Sequence, residues 1–264
     1  MTSTANEVSE SAAPDEDPIL LRFEGPIAIV SFNRPHKHNA VNTAMENRFF
    51  AILTELHERR DIRAGILRGE GRSYSSGRDT TEIGVREQGK THLELIEDGH
   101  AKTRLILSMP FPLIAALKGW VIGASFERAL LCDLRVAAED ARMTVPEVRL
   151  GMIPDSGGVS RLFQMAGPAV AAEMSMTGRT MTADEALRLG IVSRVVGADD
   201  LDTVAMELAQ RIAAAPPFAV RMARQVLSGL TASTVIESMR QEMLIQARFT
   251  FGDWDQSHRP NAAG

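Results

Sequence analysis

Short, mostly apolar runs recur along the first half of the chain, each closed by Gly, Pro or Asn and several followed by helical patterning. Ile19–Phe23 and Ile27–Phe32 are separated only by Glu24, Gly25 and Pro26. They read as a hairpin that Asn33-Arg34-Pro35 ends. From Thr43 to Arg59, residues Met45, Phe49, Ile52, Leu53 and Leu56 fall on one helical face. Ala64–Arg68 reads as a strand, followed by the Gly/Ser-rich loop Gly69–Gly77. Residues 80–108 carry a helical pattern anchored by Leu93, Ile96, Leu105 and Ile106, which Pro110 and Pro112 break. Leu113–Leu117 is a strand, Gly119–Ser125 a turn of small residues, Phe126–Leu131 a helix and Leu134–Ala137 a strand again. Strand pairs followed by helices predict an α/β core.

Beyond Val159 the pattern turns helical, over 168–176, 182–189, 199–214, 217–229 and 231–249. Thr182-Ala183-Asp184-Glu185 has the form of a capping box, and Gly190 fits a helix stop. The expected organisation is a flexible acidic tail over 1–17, a core over 18–195 and a helical region over 196–264 with a frayed end after Phe251.

Composition narrows the function classes. A net charge of −5 argues against nucleic acid as the main partner. The single cysteine, Cys132, rules out an internal disulfide, suits a cytoplasmic location and sits in an apolar stretch that reads as a buried, inert thiol. No apolar run is long enough to span a bilayer, and the acidic start lacks the features of a secretory signal. The six histidines form no metal-ligand spacing, and neither GxxxxGK[ST] nor GxGxxG occurs.

Two turns invite chemistry: Ser75-Ser76-Gly77-Arg78-Asp79 and Gly119 to Ser125. Each follows a strand, and the second opens a helix, where backbone N–H groups lack partners and carry partial positive charge. Two such groups converging on one point would make an oxyanion hole. Taken singly, either turn is structural. Glu127 follows in the first turn of that helix, either as a dipole partner or, if buried, as an acid or base of raised pKa. Glu147 is by itself a loop glutamate behind Pro146, and Asp155 a turn or N-cap residue. Paired with Glu127, Glu147 makes a two-carboxylate site. Arg34 and Lys37 are solvated loop cations or phosphate contacts.

Together, SFNRPHKHNA (31–40), GRSYSSGRD (71–79), GWVIGASFERALLCD (119–133) and PEVRLGMIPDSGG (146–158) resemble the crotonase superfamily, the enoyl-CoA hydratase/isomerase family. TGRTMTADEALRLGIV (177–192) fits the same pattern, and the likeness runs over residues 18–250 in order. The resemblance implies a spiral of ββα units with a helical C-terminal region, assembled as a homotrimer or homohexamer. It implies oxyanion donors at the N–H groups of Arg78 and Ala124, acid–base glutamates at Glu127 and Glu147, and a coenzyme A site around Arg34, Lys37, His38 and Ser76. It implies an acyl-CoA substrate, with no cofactor beyond the coenzyme A that the substrate carries. Reversible hydration of a 2-enoyl-CoA is the leading expectation. Double-bond isomerisation through Asp155 or one glutamate, and a catalytically silent scaffold, are the alternatives.

The sequence departs from the family pattern in places. Arg78 stands where a small residue is frequent, Gly123-Ala124-Ser125 is bulkier than usual, and Arg128 would pair with Glu127 and lower its pKa. The helix Ala44–Arg60, which binds RNA through lysines in some relatives, has none here.

Overall fold

The computed structural model describes residues 17–82 and 92–246. Strands β1 (Ile19–Glu24) and β2 (Ile27–Phe32) form the expected hairpin, Ile19 facing Phe32 and Glu24 facing Ile27. Strands β3 (Ala64–Gly69), β4 (Leu113–Leu117), β6 (Leu134–Ala138) and β9 (Arg194–Val196) add in parallel, giving the order β1-β2-β3-β4-β6-β9. Alternation sorts β2 between two cores: Ala28, Val30 and Phe32 face one cluster, Ile27 and Ile29 the other. Helix α6 (Leu201–Ala214) covers the second cluster with Leu201, Ala205, Ala209 and Ala213, whose four-residue spacing puts small side chains against the sheet.

A second sheet holds the pieces that sequence patterning passed over. Within the expected turn 119–125 lies β5 (Trp120–Ile122), paired in parallel with β7 (Arg142–Thr144), which pairs antiparallel with β8 (Met181–Thr182). Helix α1 (Thr43–Glu58) is capped by Asn42, whose side chain accepts the Met45 N–H at 2.9 Å. Helix α2 (His92–Ser108) is the described part of the pattern over 80–108. Residues 80–82 form a separate 3-10 turn, and the rest of that expectation falls outside the described residues. Ile96 and Ile106 are buried as expected, whereas Leu93 is exposed. Helix α3 (Ala124–Leu131) is buried from Ser125 onward.

Helix α4 (Gly158–Thr177) kinks at Gly167-Pro168, and α5 (Ala183–Arg188) starts at the Thr182 cap. The two segments expected over 217–249 form one helix, α7 (Pro217–Gln246). Buried Arg224 ties α7 to the core. Its guanidinium donates to the carbonyls of Ile106, Leu107 and Met109 and to Asp133. The expected tails lie outside the described residues except for Asp17, whose carboxylate pairs with Arg48 at 2.8 Å.

The pairing expected between Arg128 and Glu127 is absent. Arg128 instead forks onto Glu46 of α1 at 2.7 and 2.9 Å and stacks 5.1 Å above the Phe50 ring. Burial alone would raise the Glu46 pKa, but Arg128, with Lys102 and Arg78, outweighs it and holds the carboxylate below its usual value. Glu46→Ala would leave a buried guanidinium unpaired and is expected to cost about 3 kcal/mol. Urea unfolding followed by circular dichroism measures this, and an unmoved midpoint would show that the pair contributes nothing.

Candidate functional site: paired carboxylates at a helix start

Strand β5 runs directly beside the first turn. The Ser75 N–H donates to the Trp120 carbonyl, and the Ile122 N–H donates to Ser75 O, both at 3.0 Å. Gly77 has φ +85°, and a Cβ there would lie 2.9 Å from the Ile122 carbonyl oxygen, so only glycine fits. The Ser75 and Ser125 hydroxyls share a hydrogen bond at 2.8 Å, and Ser75 donates onward to Asn39 O. Ser125, one of the bulky departures in the triplet, thus buckles the two turns together.

At the bridge between Val41 and Arg78, the Val41 and Asp79 N–H groups are used, leaving the Arg78 N–H without an acceptor among the described residues. The Ala124 N–H opens α3 and is an unpaired helix-start donor of the same kind.

Glu127 is 1% exposed. Its Oε2 accepts the N–H groups of Ser156 at 3.2 Å and Gly158 at 2.8 Å, which leaves Oε1 for other partners. Burial first, then the neighbouring Glu147, Asp155 and Glu242, hold its pKa well above the usual carboxylate range, against the pull of the Gly158 N–H. Glu147 lies in the 3-10 turn Glu147–Leu150 after β7. A Cβ on Gly123 would stand 2.7 Å from its Oε1, so this carboxylate rests on the backbone that leads into Ala124. Its Oε2 is buried without a hydrogen bond. Burial and, to a smaller extent, Asp155 push its pKa up to about 7 against its own N–H. Asp155 is close enough to act on both glutamates. The helix-cap role open to Asp155 falls to Gly157, at φ +79°.

The other sequence-picked residues divide. Arg34 is buried and turned inward, donating to Ala40 O at 2.6 Å and pairing with Asp79 at 3.1 Å. Lys37 is exposed. The His38 Nδ1 shares a hydrogen bond with Ser73 Oγ at 2.9 Å, and Ser76 donates its N–H to His38 O. His38 and Asn39 both adopt left-handed backbone, which costs of order 1–3 kcal/mol per residue. The buried Asn39 side chain compensates by accepting the Arg34 N–H and donating to Glu70 O and Ser73 O. Cys132 is buried, and burial pushes its thiol up to about 12, so it is no nucleophile. Among the described residues no group of three or more His, Cys, Asp or Glu side chains is placed to hold a metal ion. No helix among them is long and apolar enough to cross a membrane.

Sequence reasoning passed over Glu242. This α7 residue is 8% exposed, and its Oε2 accepts the Gly157 N–H at 3.2 Å. The available signal was phase: Val235, Met239 and Glu242 fall on one face, and the first two are buried.

One buried and one half-buried carboxylate of raised pKa beside unpaired backbone donors are an arrangement that can serve general acid–base chemistry on an atom that gains negative charge. Residues 22–254 match the family described as Enoyl-CoA hydratase/isomerase. The chain is 35% identical to a probable enoyl-CoA hydratase of Mycobacterium bovis, over 85% of this chain and 86% of that one. It is 36% identical to a carnitinyl-CoA dehydratase of Salmonella paratyphi A, over 83% and 84% respectively. A crystal structure of an enoyl-CoA hydratase from Bacillus anthracis superposes with a TM-score of 0.75 at 30% identity, covering 87% of this chain and 90% of that one. The chain belongs to the enoyl-CoA hydratase/isomerase family, and its fold is the crotonase fold that the motifs implied.

A Cβ on Gly158 would lie 2.3 Å from Glu127 Cγ. Gly158→Ala is therefore expected to lower stability by about 1–3 kcal/mol through overpacking, read as a drop in thermal midpoint. An unchanged midpoint would mean that Glu127 has room to move.

Proposed function

We propose that the protein reversibly hydrates a 2-enoyl-CoA, with Glu127 and Glu147 as its acid–base pair. The observation that carries this reading is the placement of buried Glu127 and half-buried Glu147 at the start of α3, where the Ala124 N–H is free. The N–H groups of Arg78 and Ala124 receive the thioester oxygen and stabilise the enolate as water adds to the β-carbon, by roughly 3 kcal/mol per donor. Near neutral pH the pair holds one proton. The ionised member takes a proton from water, the protonated member gives one to the α-carbon, and transfer between the two resets the site. The titration belongs to the pair rather than to either residue. No metal or redox group enters these steps, and coenzyme A arrives with the substrate. We place its nucleotide end at the loop carrying exposed Lys37, with His38 and Ser76 beside it. The inward-turned Arg34 braces that loop.

Glu127→Gln and Glu147→Gln are each expected to reduce loss of the conjugated thioester absorbance of crotonyl-CoA by at least about 100-fold. The kcat of the wild type should fall below pH of about 7, where the pair takes a second proton, and again at high pH, where it loses its last. Conversion of a 3-enoyl-CoA that survives both glutamine substitutions, with no hydration by the wild type, would transfer the chemistry to Asp155 and isomerisation. Inactivity on both substrates would leave the silent scaffold.

We also propose a homotrimer or homohexamer in the cytoplasm. Phe218, Met222, Val226, Leu227 and Leu230 expose an apolar stripe along α7 that is unusual for a free monomer surface. Sedimentation velocity should give a trimer or larger for the wild type and a smaller species for Phe218→Glu/Leu230→Glu. A monomeric wild type would refute the assembly.

A further inference from the structure

Three consecutive backbone N–H groups at the start of α4 are divided between two carboxylates. Ser156 and Gly158 donate to Glu127 Oε2, and Gly157, between them, donates to Glu242 Oε2. Successive N–H groups in this turn thus serve acids arriving from α3 and from α7. The contact is packed as well as bonded. Gly157 sits against α7, where an added Cβ would meet Val235 Cγ1 at 2.7 Å and Met239 Cγ at 3.4 Å. Glu242 is itself fixed, because Ser238 donates to its Oε1 at 2.8 Å. Moving Glu242 therefore moves Gly157, and with it the two donors that orient Glu127.

We infer that Glu242 is a positioning residue for the acid–base pair, setting the orientation and proton affinity of Glu127 through the turn at residues 156–158. The kinetic half of this inference rests on the hydration reading above; the structural half does not. The charged groups that act on Glu242 or feel it are acids: Glu127 from α3 and Asp155 from the loop before α4, and Asp155 in turn acts on Glu147 in the turn after β7. His100 of α2 reaches the same loop, its Nε2 lying 2.8 Å from the Asp155 backbone oxygen. Burial first, and Asp155 last, push the Glu242 pKa up to about 7, against the Ser238 and Gly157 hydrogen bonds. Glu242 therefore changes charge in the pH range in which the pair works. Its anionic form disfavours ionisation of Glu127.

The test is a carboxyl titration by carbon-13 NMR on the full chain labelled at glutamate side chains, with E127Q assigning the Glu127 signal. E242Q keeps an acceptor for the Gly157 N–H but removes the charge. Its Glu127 midpoint is expected at lower pH than in the wild type, with a sharper transition because one coupled group is gone. E242A frees the Gly157 N–H as well, and kcat should fall about tenfold with KM within about twofold, while E242Q keeps most of the rate. An unmoved Glu127 midpoint in E242Q overturns the inference, even if both variants lose activity equally, because that is the behaviour of a merely structural contact. Should E242A fail to fold, the E242Q titration decides alone. A wild type that hydrates no enoyl-CoA refutes the proposed reaction, while the titration still judges Glu242.

Discussion

A carboxylate that is 1% exposed must be matched by donors or kept protonated, and Glu127 is treated in both ways. Two N–H groups on Oε2 satisfy one oxygen, while burial and three neighbouring acids raise the proton affinity of the whole group. Much of the architecture answers to this constraint. Gly158 must lack a side chain to let Glu127 in, Gly157 must adopt left-handed backbone to aim the N–H groups, and α7 must close over the turn. Arg224 holds α7 there by binding the last carbonyls of α2.

The charged side chains divide their work accordingly. Arg128 stands one residue from Glu127 but points to Glu46 on α1, so the positive charge that would have lowered the Glu127 pKa is neutralised elsewhere. Arg34 is likewise spent on internal contacts, tying the Ala40 carbonyl of its own loop to Asp79 of the turn at 75–79. The cations Arg128 and Arg34 are thus paired away from the site, and acids gather at its centre.

What the sequence disclosed followed from local periodicity. The hairpin β1–β2, strand β4 and helix α1 carry their alternation or helical stripe within a single window, and their bounds were legible to within a residue or two. Strands β5, β7, β8 and β9 span two or three residues each, too few to show a period, and exist because partners distant in sequence meet. The turns and the two glutamates could be named from motif resemblance, yet their surroundings could not. The turn of Arg128 toward Glu46, the inward turn of Arg34 and the hydroxyl link between Ser75 and Ser125 depend on which elements pack beside which. Glu242 stayed hidden because Arg240 and Gln241 beside it give that stretch the look of a solvated face.

The three-stranded sheet has one more implication. Ala124 follows β5 by two residues and Glu147 follows β7 by three, and Ile122 is in register with Thr144. The gap between the Ala124 N–H and the Glu147 carboxylate is therefore gauged by the spacing of neighbouring strands, roughly 4.8 Å. Such a gauge is indifferent to what fills the rest of the cleft. Side chains lining that cleft can therefore be exchanged without resetting the distance that the two strands impose.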